Sequence, residues 1–335
     1  MYTELSIFIG YVCIIPVISI CTNGLIKDIL LYSHALGISC ILYLLINQVN
    51  TTTTEKNELY GLRHLLFNLR LPPTTLWFNM GLWDKPDLTF PQACENLVHA
   101  VAKVMDIKPV STVLDVGFGC GDSCIVLAEQ YTLKVTGITN ELSQWRIASD
   151  RISSTKLKDQ ITLIHGSADD LNQHISSTEI YDYIVSIDSA YHYNTRWDFL
   201  KNALTYLKPK GGTIGLYDLC IDSEFLKEVS SMQYSFLKLI CKASHIPIRN
   251  LVTVEEYQKR LVDMGYEKIE MISLDRAHVF GGLSESFNDQ YNTVMKYGIG
   301  VSLSNKIFLK GSSFIFGLFG TKPWLVPVIV KGEKA

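Results

Sequence analysis

The sequence lacks the clustered cysteines and the charge excess that mark several protein classes. Its eight cysteines are scattered, and no two of them form a CxxC pair. We therefore expect neither a metal site nor a disulfide framework, and a reducing compartment suits the pattern. The 30 basic and 33 acidic side chains leave a formal net charge of −3. This balance gives no basic surface, so no nucleic-acid partner is expected.

Charged residues are also missing from most of the first 54 positions. Two runs, 5–26 and 29–54, contain no Asp, Glu, Lys or Arg. Because a helix needs about 20 apolar residues to cross a bilayer core, the runs predict one or two transmembrane helices, with residues 1–54 as a membrane anchor. A pair of buried helices in a soluble fold is the alternative.

Basic residues follow the second run and set the expected topology. Lys56, Arg63 and Arg70 lie shortly after it, whereas the gap between the runs holds one Lys and one Asp. The positive-inside rule then places everything after Thr54 in the cytosol. We expect an endoplasmic reticulum membrane protein whose residues 55–90 form a linker and lid segment.

Leucines at helical spacing from 59 to 69 favour either an interfacial helix or a core-facing one.

Strand and helix patterns alternate through residues 91–335. Short β-branched runs, the first at Val113–Val116, are separated by helical segments, the first at Pro91–Met105. This alternation predicts a doubly wound α/β domain with a mostly parallel seven-stranded sheet. Residues 284–321 are extra material, predicted to be helical and to form a lid or substrate insertion. Pro327 in the last strand predicts an edge position.

The stretch from Val113 to Ser123 reads VLDVGFGCGDS and contains the main functional signal. Asp115 ends a buried strand, and Gly117, Gly119 and Gly121 follow at alternate positions. Glycines at this spacing let the backbone turn sharply against a flat ligand. A dinucleotide site requires GxGxxG instead, so an oxidoreductase is disfavoured.

The DxGxGxG pattern resembles the first motif of class I S-adenosylmethionine-dependent methyltransferases. Three further segments resemble later motifs of that family in the same order: His165–Leu171, Tyr181–Tyr193 and Leu207–Thr213. The resemblance implies that S-adenosylmethionine is the cofactor. It also implies that Asp115 and the three glycines bind it, and that Asp169 accepts from the adenine amino group.

The second strand lacks the acid that many of these relatives carry at its tip. The segment Thr139–Trp145 instead resembles the cyclopropane-fatty-acid synthase and sterol methyltransferase branch. That resemblance assigns cofactor contacts to Thr139 and Gln144, with Glu141 as a less favoured substitute. The upstream segment Asn79–Asp84 resembles the family's lid, in which Trp83 would cover the cofactor. A turn anchored by a buried Trp is the alternative for Trp83.

Candidate catalytic residues cluster at the end of the fourth strand, where a parallel sheet presents side chains to the ligand crevice. Asp188, Tyr191 and His192 fall there, and His192 is the first candidate for a general base. A structural His is the alternative. Tyr193 and Tyr191 are candidates for cation–π contact with a sulfonium, and Asp218 after the fifth strand is a second pocket candidate.

Together these features predict a methyltransferase that acts on a lipid-soluble acceptor at a membrane. Sterol, prenylated quinone, phospholipid headgroup and hydrophobic metabolite all fit as acceptors. One alternative is a tethered O- or N-methyltransferase of a soluble small molecule. Another is a catalytically inactive methyltransferase fold that serves as a scaffold.

Overall fold

The computed structural model describes residues 24, 26–29, 31–35, 37–39, 74–297 and 301–335. The chain divides into two compact units, residues 1–57 and 58–335. In the first unit, the described residues from 26 onward are helical. Most of the predicted membrane anchor, and the leucine-rich stretch after it, lie outside the described residues. Within the described ranges, no helix combines the length and apolarity needed to cross a bilayer.

A seven-stranded sheet forms the centre of the second unit, as the alternating pattern predicts. Its strands are β1 (Thr112–Val116), β2 (Lys134–Thr139), β3 (Ile161–His165), β4 (Tyr183–Ile187), β5 (Thr213–Ile221), β6 (Tyr266–Ser273) and β7 (Leu325–Lys334). Their order is β3-β2-β1-β4-β5-β7-β6. Strands β1 to β5 run parallel, and β7 is antiparallel to both of its neighbours. The doubly wound, mostly parallel α/β fold is confirmed.

Helices cover both faces of this sheet. They are α1 (Phe90–Met105), α2 (Asp122–Gln130), α3 (Leu142–Ser153), α4 (Leu171–His174), α5 (Arg196–Tyr206), α6 (Ser223–Glu228), α7 (Ser231–Ala243), α8 (Val254–Met264), α9 (Gly282–Tyr297) and α10 (Leu303–Thr321). One core layer contains α1 to α3, α7, α9 and α10, and the other contains α4, α5 and α8. Alternate residues of β1 point into the two layers, Val113 into the first and Leu114 into the second, because strand side chains alternate between faces.

The strand order fixes where a ligand can bind. Successive strands run outward from β1 in one direction and from β4 in the other, so the order reverses between these two neighbours. In open parallel sheets, the crevice at such a switch point, beyond the carboxyl ends of the strands, is the usual ligand site. The glycine-rich segment after β1 and the polar segment after β4 therefore meet at one edge.

The predicted edge position of the last strand is wrong, because β7 lies between β5 and β6. Pro327 pairs with Leu219 on one side, and its carbonyl accepts from the Leu274 amide at 2.8 Å on the other. In an antiparallel sheet, the N–H and the C=O of one residue point toward the same neighbouring strand. The missing N–H of Pro327 therefore faces the Leu274 carbonyl, just past the end of β6, so at most one bond at the end of the ladder is lost.

Sequence analysis also missed α6 and α7, which lie between β5 and α8. Asp222 caps α6 by accepting from the Glu224 amide at 2.9 Å, and Ser230 and Gln233 form a capping box at the start of α7. A Ser followed three residues later by Gln is a recognisable helix start, so this signal was present in the sequence. At the start of α8 a similar box is only half formed, since Thr253 caps the Glu256 amide while the Glu256 carboxylate pairs with Arg260.

The predicted helical insertion consists of α9 and α10, joined to the sheet by a π-helical turn at Ala277–Gly281. Aromatic side chains hold the pair together. The rings of Phe287 and Phe316 stack at 5.7 Å, and Phe280 lies 5.8 Å from Phe319. The insertion packs into the same core layer as α1 and α7.

Candidate active site

The glycine-rich turn has the backbone conformation that its spacing predicts. Gly117, Gly119 and Gly121 all adopt left-handed φ values of 86°, 59° and 92°. At Gly117 the space is also closed, because an added Cβ would stand 2.5 Å from Ser189 Cβ and 3.0 Å from the Tyr193 hydroxyl. The Gly117 amide donates to the Ile138 carbonyl at 2.8 Å. The turn is thus fixed between β2 and the segment after β4, and it leaves bare backbone at the edge of the sheet.

Asp115 supports this turn from inside the protein. Only 1% of the residue is exposed, and its carboxylate accepts from Ser123 Oγ at 2.6 Å and from Cys124 Sγ at 3.3 Å. Both partners lie in the first turn of α2, so the carboxylate closes the loop between β1 and that helix. Burial raises the pKa of Asp115 to about 6. In this structure the side chain reaches no surface that a ligand could touch.

We expect the raised pKa of Asp115 to make stability depend on pH. The unfolded carboxyl returns to its ordinary value of 3.8, so the folded state binds this proton more tightly. The contribution of Asp115 to stability is then fully present below about pH 4 and is lost as pH rises through about 6. At roughly 1.4 kcal/mol per pKa unit, the loss is about 3 kcal/mol. Asp115→Asn, which can still accept from Ser123, should remove this loss. Urea unfolding of parent and variant at pH 4 and pH 8, without cofactor, measures the difference.

A surface replacement provides the control for that experiment. Asp150 on α3 is exposed, and Asp150→Asn should leave the pH dependence of the parent unchanged. An Asp115→Asn protein with the same pH dependence as the parent would show that the buried carboxyl does not titrate as the geometry requires.

A second carboxylate, which sequence analysis missed, clamps the turn from outside. Asp122 forms a two-pronged ion pair with Arg151 at 2.7 and 2.8 Å, and Arg151 also donates to the Cys120 carbonyl at 2.6 Å. The Leu76 amide donates to the same Asp122 carboxylate at 3.0 Å. Asp122 therefore ties the glycine turn both to α3 and to a segment 46 residues away.

That segment, residues 74–84, crosses the edge of the sheet, and we call it the strap. The Phe78 ring lies over the glycine turn, where an added Cβ on Gly119 would stand 3.3 Å from Phe78 Cδ2. Further along, the Met80 amide donates to Asp188 Oδ2 at 2.7 Å. The strap therefore spans the edge from β1 to β4 and contacts both halves of the candidate site.

Trp83 anchors the far end of the strap. Its amide donates to the His278 carbonyl at 2.7 Å, and its indole N–H donates to the Met80 carbonyl at 3.3 Å. An added Cβ on Gly282 would stand 2.6 Å from Trp83 Cβ. These contacts join the strap to the start of α9, which is the arrangement expected for a turn anchored by a Trp.

The end of β2 provides a hydroxyl and an amide close together. Thr139 Oγ1 and Gln144 Oε1 are 3.5 Å apart, and the Glu141 amide donates to Thr139 Oγ1 at 3.4 Å. All three residues are buried. After β3, Asp169 is exposed, and its carboxylate accepts from the Asn194 amide at 2.9 Å. Partial desolvation of the carboxyl group raises the pKa of Asp169. The hydrogen bond to Asn194 joins the segments after β3 and β4.

Asp188 lies at the tip of β4 with a left-handed φ of 61°. Its two carboxylate oxygens have separate donors, the Met80 amide at 2.7 Å and the Tyr191 hydroxyl at 2.6 Å. Burial raises the pKa of Asp188 to about 7 despite these donors. A carboxyl group with this pKa exchanges its proton near neutral pH, which suits acid or base work in a crevice.

The structure brings the other predicted catalytic residues to the same place. The His192 ring is partly buried, and its centroid lies 4.2 Å from that of Tyr191. Tyr193 instead donates to the Val116 carbonyl at 2.9 Å and lies 3.0 Å from Ser186 Oγ. Tyr193 thus holds the ends of β1 and β4 together, which is a packing role.

The prediction that Asp218 lines the pocket is wrong. Strand β5 continues past Asp218 to Ile221, and the residue is fully buried. Its carboxylate pairs with Arg196 at 2.8 Å and accepts from the Tyr257 hydroxyl at 2.8 Å. All three side chains lie in the layer that contains α5 and α8, so the carboxylate is a structural group.

This ion pair is connected to the candidate site through Asn250, which sequence analysis also missed. Arg196 donates to the Asn250 carbonyl. The Asn250 side chain is fully buried and donates to the carbonyls of Tyr191 and Tyr193 at 3.0 and 2.7 Å. Asn250 therefore fixes the backbone that presents both tyrosines. No local sequence pattern marks this residue.

The geometry fits the cofactor that the motifs imply. The left-handed glycine turn leaves a surface without side chains next to Phe78. The Thr139 hydroxyl and the Gln144 amide lie at the end of β2, and a carboxylate lies beyond β3. Bare backbone, hydroxyl, amide and carboxylate groups suit an amino acid moiety, a ribose and an adenine.

Comparison with known proteins agrees with this geometry. Residues 47–297 match the family described as mycolic acid cyclopropane synthetase. Erythromycin 3''-O-methyltransferase of Saccharopolyspora erythraea is 30% identical over 200 residues, covering 59% of this chain and 64% of that protein. Sterol 24-C-methyltransferase of Neurospora crassa is 24% identical over 184 residues, covering 55% of this chain and 47% of that protein. This chain thus spans less than two thirds of either relative.

Among solved structures, the cyclopropane synthase MmaA2 of Mycobacterium tuberculosis superposes with a TM-score of 0.64 and 19% identity. The match covers 80% of this chain and 93% of that one. At this identity the likeness shows the fold, including the sheet order and the switch point described above.

Proposed function

This chain belongs to the mycolic acid cyclopropane synthetase family of class I S-adenosylmethionine-dependent methyltransferases, and we propose that it methylates a lipid-soluble acceptor at a membrane. One observation carries the proposal: the glycine turn and the Asp188–Tyr191 pair lie at neighbouring strand ends under one strap. The cofactor supplies a methyl carbon activated by a sulfonium. The protein must align the acceptor, exclude water and take up any proton released.

On the donor side, each group of residues has one task. Gly117 and Gly119 allow the left-handed turn whose bare backbone would face the cofactor, while Asp115 and Asp122 fix the turn from its two sides. Thr139 and Gln144 would hold the ribose, and Asp169 the adenine. Trp83 would keep the strap over the site through the bond from its amide to the His278 carbonyl, in the turn before α9.

On the acceptor side, we assign proton uptake to Asp188. When the acceptor is a hydroxyl, a carbon–oxygen bond forms, the carbon–sulfur bond breaks and the hydroxyl proton must leave. Asp188 is a suitable base near neutral pH, because the pKa of its carboxyl group is about 7. Tyr191 and the Met80 amide orient its two oxygens, and His192 next to Tyr191 is a second base.

A lipid-soluble acceptor is supported by the uncharged runs 5–26 and 29–54 and by the apolar insertion next to the strap. We propose that the runs anchor the enzyme in the endoplasmic reticulum membrane, with the catalytic unit in the cytosol. The basic residues that follow the second run support this orientation. The chain's match to a sterol methyltransferase fits a membrane lipid as acceptor.

A second candidate function is O-methylation of a soluble small molecule. It is favoured by similarity to erythromycin 3''-O-methyltransferase, the relative at 30% identity, and by a carboxylate at the tip of β4 with a pKa near neutrality. A scaffold without activity is disfavoured, because the left-handed glycine turn and its Asp115 support are intact.

We expect radioactive methyl groups from S-adenosylmethionine to enter the organic phase when the purified full chain is given vesicles of a total lipid extract. Asp188→Asn should reduce this transfer by roughly 100-fold or more, as loss of a general base does, while calorimetry shows unchanged cofactor binding. Equal transfer to a water-soluble metabolite extract without vesicles would favour the second function. Absence of cofactor binding by the parent protein would favour the scaffold.

A further inference from the structure

Helix α10 is apolar on the side that faces solvent. Leu303, Ile307 and Phe314 share one face of the helix and are 69%, 60% and 69% exposed. The opposite face is apolar too, since Leu309 and Phe319 are buried in the core. Large apolar side chains exposed together on one face commonly mark an interaction site. The exposed face of α10 therefore has the character of a contact surface.

The charged side chains of helix α10 itself are all basic. Helix α10 contains no acidic residue, although the whole chain has a net charge of −3. Lys306 and Lys310 lie within the helix, and Lys322 follows it. Exposed apolar side chains beside lysines are the pattern of helices that lie in the headgroup region of anionic bilayers.

Helix α7 repeats the pattern independently. Met232 and Leu239 are 80% and 62% exposed at helical spacing. The helix includes Lys238 and Lys242 and also contains no acidic residue. An acidic protein partner would fit the lysines, but each helix also exposes several large apolar side chains, which favours lipid.

The two helices meet at one aromatic residue. Phe236 of α7 lies 6.0 Å from the Trp324 ring, and Phe319 of α10 lies 6.3 Å from the same ring. Both helices thus contribute to one core layer, and we call their exposed residues together the α7–α10 surface. Its members are Met232, Leu239, Leu303, Ile307 and Phe314.

We propose that the α7–α10 surface docks the catalytic unit on an anionic lipid bilayer. This contact is additional to any anchor formed by the first 54 residues, and it does not depend on which acceptor is methylated. The insertion also holds the strap through Trp83 and the His278 carbonyl.

Tryptophan substitutions in the full chain test the proposal. Ile307→Trp places a fluorophore on the surface. Val262→Trp is the matched control, since Val262 is 58% exposed and lies on α8 in the opposite layer. The measured quantity is the fluorescence that the added tryptophan contributes beyond that of the parent protein. With vesicles of brominated phosphatidylcholine and phosphatidylglycerol, we expect the bromine to quench most of the fluorescence added by Ile307→Trp. The emission added by Val262→Trp should persist. Replacing phosphatidylglycerol by neutral lipid, or adding salt, should restore emission at position 307.

Equal quenching at positions 307 and 262 would overturn the proposal, because the anchor alone would then bring both layers to the lipid. A second measurement uses acrylamide, an aqueous quencher, on Ile307→Trp protein without vesicles. If acrylamide does not quench the added tryptophan, the proposal is also overturned, and the result indicates that a second copy covers the surface. The result is separable from the acceptor assay. Quenching at position 307 without methyl transfer to lipid would support docking and reject the lipid acceptor. Methyl transfer to lipid without quenching at position 307 would reject docking and leave the lipid acceptor in place.

Discussion

Replacing Gly117 with Ala should abolish cofactor binding while leaving the protein folded. The position has a φ of 86°, which costs an L-residue about 1–2 kcal/mol. The new Cβ would also collide with Ser189 and approach the Tyr193 hydroxyl. Relief of such overpacking typically costs a further 1–3 kcal/mol, and here it must displace the turn or the segment after β4. We expect S-adenosylmethionine affinity to fall by about 100-fold or more, since each 1.4 kcal/mol is roughly tenfold.

Gly265 offers a matched control for this experiment. It has a φ of 100° at the end of α8, and an added Cβ would meet nothing within 4 Å. Gly265→Ala should therefore show the backbone strain alone, as a loss of about 1 kcal/mol in unfolding free energy, with unchanged affinity by calorimetry. Parental affinity in Gly117→Ala would show that the turn does not hold the cofactor.

Removing one partner of the buried ion pair should have the largest effect on stability. Arg196→Met leaves the Asp218 carboxylate fully buried and facing no cation. Losing one partner of such a pair typically costs about 3–5 kcal/mol. The double variant Arg196→Met/Asp218→Asn removes both charges and keeps an acceptor for the Tyr257 hydroxyl. We expect the double variant to lose clearly less than the sum of the two single variants in urea unfolding.

The exposed pair Lys156–Glu129, at 3.4 Å, is the control for this cycle. Such surface pairs contribute at most about 1 kcal/mol, so Lys156→Met should change stability little. Additive losses in the Arg196 and Asp218 cycle would contradict the proposed coupling. The cycle also affects the site, because Arg196 holds Asn250, which in turn fixes the Tyr191 and Tyr193 carbonyls.

The predictions that the structure confirms rest on patterns within short stretches of chain. The alternation of strands and helices predicted the doubly wound sheet, because each element's burial pattern repeats within a few residues. The spacing of Gly117, Gly119 and Gly121 predicted a sharp turn after β1, and all three have positive φ. The apolar helical insertion was predicted in the same way.

The errors concern residues whose environment depends on distant parts of the chain. Asp218 follows a strand-like run and looked like a pocket residue, but β5 extends past it and Arg196 neutralises it in the core. Pro327 looked like an edge residue, but its missing N–H faces the end of β6. In both cases a neighbouring element decided the outcome.

The sequence by itself determined the fold class, the family and the turn that implies S-adenosylmethionine, since backbone conformation and strand periodicity are encoded locally. Only the tertiary structure decided which groups surround that turn. The Met80 amide reaches Asp188 across 108 residues, and Asn250 reaches Tyr193 across 57. These bonds exist because the parallel strands end at one edge and the strap crosses it. Contacts between groups so far apart in the chain depend on the packing of the whole sheet and leave no local pattern.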